Sequence, residues 1–117
     1  YQVADELLRL EDQPTAVILI YELMAIGFYR RVMESGIIPG RDIAVVSFRE
    51  APRAKFLQPA LTCFRTSLHD LGVELAEILL SSMPAYSEEY PRTSRQSVWP
   101  LELIPGESDA FQLTTTK

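Results

Sequence analysis

Pro14-Thr-Ala-Val-Ile-Leu-Ile20, then Tyr21-Glu22, a run from Leu23 to Ser35, Gly36, Pro39-Gly40 and Asp42-Ile-Ala-Val-Val-Ser-Phe48: this stretch decides the fold. Two short runs, apolar at nearly every position and rich in β-branched residues, flank one segment of helix length. Runs without polar alternation suit strands covered on both faces, as in a parallel sheet. Strand, crossover helix and parallel strand form a βαβ unit, almost always right-handed. In open α/β sheets, ligands bind beyond the carboxyl ends of the strands. Here those ends are Tyr21-Glu22 and Arg49-Glu50, so function is sought there.

Working outward, the helix predicted over Leu23–Ser35 has Met24, Phe28 and Val32 on one face. Ile26 and Tyr29 point elsewhere, so the apolar arc is broad enough for more than one buried contact. Gly36 sits where a helix takes a left-handed residue, and Ile37 can pack back on the last turn as in a Schellman motif. Upstream, Val3, Leu7, Leu8 and Leu10 mark an amphipathic helix over Tyr1–Leu10, which Pro14 cannot continue. Downstream, Arg49 to Gln58 reads as a loop in which Phe56-Leu57 tuck under or meet a partner. Leu61–Thr66 reads as a short strand. Ser67 caps a helix to Ser82 whose stripe is Leu68, Leu71, Leu75, Ile78 and Leu79. Ala85–Ser97 reads as an exposed loop, Val98–Ile104 as a strand in which Pro100 marks an edge or the strand's start, and the residues after Ala110 as a frayed tail.

At 117 residues the chain is long enough for one domain with a real core. A net charge of -5 excludes the basic footprint of a nucleic-acid surface. Cys63 is alone, so no internal disulfide forms, which fits a reducing compartment. No apolar run approaches the roughly 20 residues of a membrane span. The opening Tyr-Gln-Val-Ala-Asp-Glu has neither an initiator Met nor a basic n-region. We expect a piece of a longer polypeptide.

The turn after the first strand lacks a glycine-rich phosphate loop, and no G-x-S-x-G or H-E-x-x-H motif occurs. His69 lies in the first turn of a predicted helix, ordinarily a surface position. One His, one Cys and scattered carboxylates do not converge as metal ligands. Neither enzyme chemistry nor a cofactor is expected; a flavodoxin-like enzyme would need a catalytic group from residues not shown.

Pro14-Thr-Ala-Val-Ile, Leu23-Met-Ala-Ile-Gly27, Glu34-Ser-Gly-Ile37, Pro39 to Phe48 and Pro59-Ala-Leu-Thr-Cys-Phe-Arg-Thr66 follow in an order that resembles the C-terminal part of lactose-repressor-type (LacI/GalR) transcription regulators. Leu71-Gly72 and Trp99 to Ser108 continue the pattern, so the match covers Pro14 to Ser108. The resemblance implies an α/β fold with a parallel sheet and flanking helices, periplasmic-binding-protein-like, of which this chain is a C-terminal subdomain fragment. It implies a βαβ portion over residues 1–60, a hinge-crossing strand, helix and return strand over 61–108, and a flexible tail over 109–117. It also implies a cytoplasmic homodimer that senses a small-molecule effector. Operator DNA would be met only through an N-terminal headpiece absent from this chain, and no membrane is involved. A periplasmic-type solute-binding protein feeding a transporter shares the fold and is the alternative.

Residue by residue, the implied effector contacts are Tyr21, Glu22, Arg49, Thr66 and Leu68. Where the family usually has Asn-Asp after the first strand, this chain has Tyr21-Glu22. Where the family has Gly-Phe-Asp-Asp, it has Ser47-Phe48-Arg49-Glu50. Thr66 replaces a usual Gln and Leu68 a frequent aromatic. Asp only accepts hydrogen bonds and suits sugar hydroxyls, whereas Arg only donates and suits carboxylate or phosphate. Two readings stay open: an atypical, anionic effector with Arg49 as its counter-charge, or Arg49 pairing with Glu50 or Glu22 at a solvated loop. The family's two-fold interface would here use Ile26, Tyr29, Arg30 and Leu57, and an isologous patch suits palindromic operators.

Overall fold

The computed structural model describes residues 1–49, 52–91 and 96–110. The elements run α1 (Gln2–Leu7), β1 (Ala16–Leu19), α2 (Glu22–Glu34), β2 (Ala44–Ser47), a 3-10 turn (Ala54–Phe56), β3 (Thr62–Arg65), α3 (Leu68–Ser82) and β4 (Glu102–Ile104). The strands lie side by side in sequence order in one sheet. β1 and β2 are parallel with Leu19 opposite Ser47, and β2 and β3 are parallel with Ser47 opposite Cys63. The βαβ unit expected from the sequence is therefore present.

The end of α2 follows from Gly36. Its φ of +80° is one that a side chain with a Cβ rarely adopts. The N–H of Ile37 donates to Val32 O and that of Gly36 to Met33 O, each at 3.0 Å. That is the double bond of a Schellman ending. α2 buries Ala25, Phe28, Tyr29 and Val32 against the sheet, where they meet Leu19 and Val45. Full burial of side chains the size of Phe28, Val32 and Val45 contributes about 1.5–3 kcal/mol each.

The contacts divide the chain into two compact units: Tyr1–Arg65 with the segment from Leu103 onward, and Thr66–Glu102. Among the described residues, the first unit contains every buried apolar one. Its two pieces are joined at the amino ends of β2 and β3. Ser108 Oγ donates to Val45 O at 2.5 Å and accepts from Thr62 N–H at 2.9 Å. The Ser108 carbonyl accepts from Val45 N–H at 2.8 Å. Thr62 Oγ1 donates to Asp109 Oδ1 at 2.6 Å and accepts from Gly106 N–H at 2.9 Å. Gly106 is required there because a Cβ would stand 2.5 Å from Ala60 O.

α1 is shorter than the sequence suggests, and Val3 and Leu10 are exposed. It is tied to α2 by Asp5, whose carboxylate meets Arg31 at 2.7 Å and Arg9 at 2.6 Å. β1 and β2 alternate in burial rather than being covered on both sides. α2 covers one face; on the other, Ile18 is 73% and Ile20 64% exposed, and no described element lies over them. Phe48 and Phe64 meet on this open side with ring centroids 6.2 Å apart.

In the second unit, Ser67 Oγ accepts from Asp70 N–H at 3.2 Å, the cap expected from the sequence. α3 buries none of its residues. Its Leu71, Leu75 and Ile78 line a cavity of about 410 Å³ with Val98 and Trp99. Residues 83–90 form exposed turns, apart from a half-buried Tyr90. Of the expected tail, Ala110 is the last described residue and the remainder lies outside the described residues.

Candidate functional site

The carboxyl edge of β1 and β2 closes on one rung, Phe48 N–H to Leu19 O at 2.6 Å. The paired register ends with Leu19 opposite Ser47, two residues before Tyr21 and Arg49. Tyr21 has extended backbone (φ -155°, ψ 163°) and stands at the N-cap of α2 without capping it through its side chain. Its ring is 42% exposed.

Arg49 is exposed, and its main chain is held by Ser47. The Ser47 hydroxyl donates to Arg49 O at 2.9 Å and accepts from Arg49 N–H at 3.4 Å. Ser47 itself is fully buried, so its whole polar capacity serves this bend. The Arg49 guanidinium makes no ion pair among the described residues. Of the sequence's two candidate partners, Glu50 lies outside the described residues. The other, Glu22, is taken up elsewhere: it is 6% exposed and faces Arg53 at 3.6 Å. The first turn of a helix is a favourable place for that carboxylate.

Thr66 and Leu68 belong to the second unit. Thr66 Oγ1 is buried without a hydrogen bond, and Leu68 is half exposed at the start of α3.

The other surface follows α2. Leu23, Ile26, Arg30 and Met33 share one outward stripe at helical spacing, with Leu23 56%, Ile26 40% and Met33 49% exposed. Arg30 pairs with Glu34 at 3.0 Å and lies over the Tyr1 ring at 6.0 Å. Tyr29 points inward and is 3% exposed. Its hydroxyl lacks a hydrogen bond of ordinary geometry; burial pushes the phenol up and Ser108 pulls it back. Leu57 packs on the core, whereas Phe56 stands out with Lys55 Nζ 5.1 Å from its ring.

Sequence reasoning missed Ser47, Arg53 and Ser108. A serine two residues before Arg49 was the available signal for the first; the others act across loops and long separations. Among the described residues no three His, Cys, Asp or Glu side chains converge on a metal position.

Residues 1–108 match the periplasmic binding protein-like domain family. The chain is 42% identical over 84 residues to the lactose operon repressor of Rhizobium radiobacter, an alignment covering 71% of this chain and 74% of that protein. The chain belongs to the periplasmic binding protein-like family, on its lactose-repressor branch. To the HTH-type transcriptional repressor PurR of Vibrio atlanticus it is 34% identical over 77 residues, 66% of this chain and 23% of that protein. Among solved structures, the Lac repressor dimer bound to operator and the anti-inducer ONPF superposes with TM-score 0.76 at 24% identity, over 96% of this chain and 32% of that one. That likeness speaks to the fold: this lactose-repressor-type chain carries the sheet and flanking helices of the family. Its relatives here are transcriptional repressors. No helix among the described residues is long and apolar enough to cross a membrane.

Proposed function

We propose that this chain is the effector-binding and dimerisation part of a transcription regulator, cytoplasmic, without cofactor and not an enzyme. A small molecule would be received at the edge carrying Tyr21 and Arg49, with Glu22 beneath it. Operator DNA would be contacted by a headpiece elsewhere in the polypeptide. The observation that supports this reading is the parallel pairing of β1 and β2, whose carboxyl ends at Leu19 and Ser47 lead into Tyr21 and Arg49 beside the first turn of α2, where α/β sheets receive ligands. The outward stripe of α2 supports homodimerisation through Ile26 and Arg30, an area of mixed apolar and charged character suited to a two-fold contact, with Leu57 as a proposed contact from the loop after the 3-10 turn. Tyr29 backs that face from the core.

The coding sequence upstream of Tyr1 tests the regulator directly. A helix-turn-helix segment supports it, and a signal peptide replaces it with a solute-binding protein of the periplasmic type. For the dimer, Ile26→Arg places a charge at the centre of the stripe. Sedimentation should return a monomer, and a dimer indistinguishable from the parent removes α2 from the interface.

A further inference from the structure

The outward face of α2 carries more than an apolar stripe. Leu23, Ile26, Arg30 and Met33 follow at intervals of three, four and three residues, so their spacing is the same from either end. A two-fold axis crossing the middle of the helix would set Leu23 against Met33 of a second copy, and Ile26 against the aliphatic stem of its Arg30. The two ends of the face differ in charge. Arg53, which opens the 3-10 turn, reaches Glu22 at 3.6 Å and so brings Lys55 and Phe56 to the first turn of α2. Glu34 closes the last turn, and its side chain is 41% exposed although Arg30 donates to it at 3.0 Å. Antiparallel pairing lays the basic end of each copy beside the acidic end of the other, and opposes the two helix dipoles. Parallel pairing does neither.

Phe56 is 77% exposed, with Lys55 Nζ 5.1 Å from its ring, whereas its neighbour Leu57 is used in packing on the core. Interfaces concentrate their binding energy in aromatic anchors of this kind. With the four stripe residues, Phe56 offers on the order of 600 Å² per copy, most of the about 800 Å² per partner that a stable interface buries.

We propose that two copies of this chain pair α2 against α2 in antiparallel register, with Phe56 as the anchor and Lys55 of each copy facing Glu34 of the other. This rests on the reading of α2 as the dimer face. What it supplies beyond that reading is the orientation, the anchor, and a charge pair by which the face selects its own copy.

The test is sedimentation of the protein and its variants over a range of concentrations. Phe56→Ser should weaken the dimer about tenfold or more, the loss expected at an aromatic anchor. Lys55→Glu and Glu34→Lys should each weaken their own dimers, because each sets like charges together at both ends. Mixed, with one of them fluorescently labelled, they should form a heterodimer about fivefold or more tighter than either variant alone, since both ends then join opposite charges. A mixture no tighter than its components, or variants that dimerise like the parent, overturns the antiparallel register. Phe56→Ser at parental affinity overturns the anchor. In either case a monomeric Ile26→Arg protein still leaves α2 as the dimer face. A dimer that survives Ile26→Arg, or a parent that is monomeric at every concentration, removes that face and the proposal with it.

Discussion

Replacing Ser108 with alanine removes one oxygen that serves two strands. Ser108, Val45 and Thr62 are all fully buried, so water cannot step in readily. The change strands Thr62 N–H, which donates to Oγ at 2.9 Å, and Val45 O, which accepts from it at 2.5 Å. A buried polar group left without its partner costs about 1–3 kcal/mol. Two such groups, with some relaxation, give about 2–4 kcal/mol, a large part of the roughly 5–15 kcal/mol holding a domain together. At roughly 4 °C per kcal/mol, the melting temperature should fall by about 8–15 °C. Urea unfolding followed by circular dichroism measures this. Ser82→Ala is the control, since that exposed hydroxyl only bonds back to Leu79 O in its own helix and should shift stability by less than about 0.5 kcal/mol. If Ser108→Ala and Ser82→Ala prove equally mild, the return segment does not secure the sheet and the reasoning fails.

Two glycines should respond oppositely to alanine. Gly106→Ala drives a Cβ into the backbone of Ala60 and Leu61 and should unfold the first unit, whereas Gly72, with nothing within 4 Å, should gain about 0.5–1 kcal/mol of helix stability as alanine. A Gly106→Ala protein with unchanged thermal melting would contradict that packing. Acid should release α1 before the sheet. Hydrogen bonding from Arg31 holds the Asp5 carboxyl below its usual 3.8, and bonds from Tyr1 and Arg30 hold Glu34 below its usual 4.5. Both groups have lowered folded values, so their contribution is full above those figures and fades as pH falls through them. Protection of the α1 amides, measured against their intrinsic exchange at each pH, should therefore fall below about pH 4.5, and Asp5→Asn should show the low protection already at neutral pH; protection in the parent that does not change with acid is the contrary result.

The βαβ unit was legible because its signals are local. Apolar runs, a helix-length spacer and Gly36 all act within a few residues, and the Schellman ending at Ile37 came out as read. Coverage of the strands was not legible. Ile18, Ile20 and Phe48 are as apolar as the buried Leu19 and Val45, so the sequence shows no alternation although burial alternates. The stripe of α3 was readable as a pattern, yet nothing local says that its unit leaves it unburied. At the edge, the strand runs sufficed to set Tyr21 and Arg49 just past the carboxyl ends of β1 and β2. The ion pair of Glu22 is with Arg53, thirty-one positions away beyond α2 and β2, in a turn with no periodic signal. Ser108 is further still, bonded to partners 46 and 63 residues away, a distance over which single-sequence patterns carry no information.

That distance sets an order of events during synthesis. A ribosome delivers β1, α2 and β2 long before Gly106–Asp109, so Val45 and Thr62 emerge with their partners still untranslated. Until those residues arrive, Val45 and Thr62 keep open polar groups at the amino ends of their strands, a condition in which holding chaperones engage. A nascent chain whose Gly106–Asp109 segment has not yet emerged would therefore display a helix and strands unable to lock, and emergence of that segment would complete them.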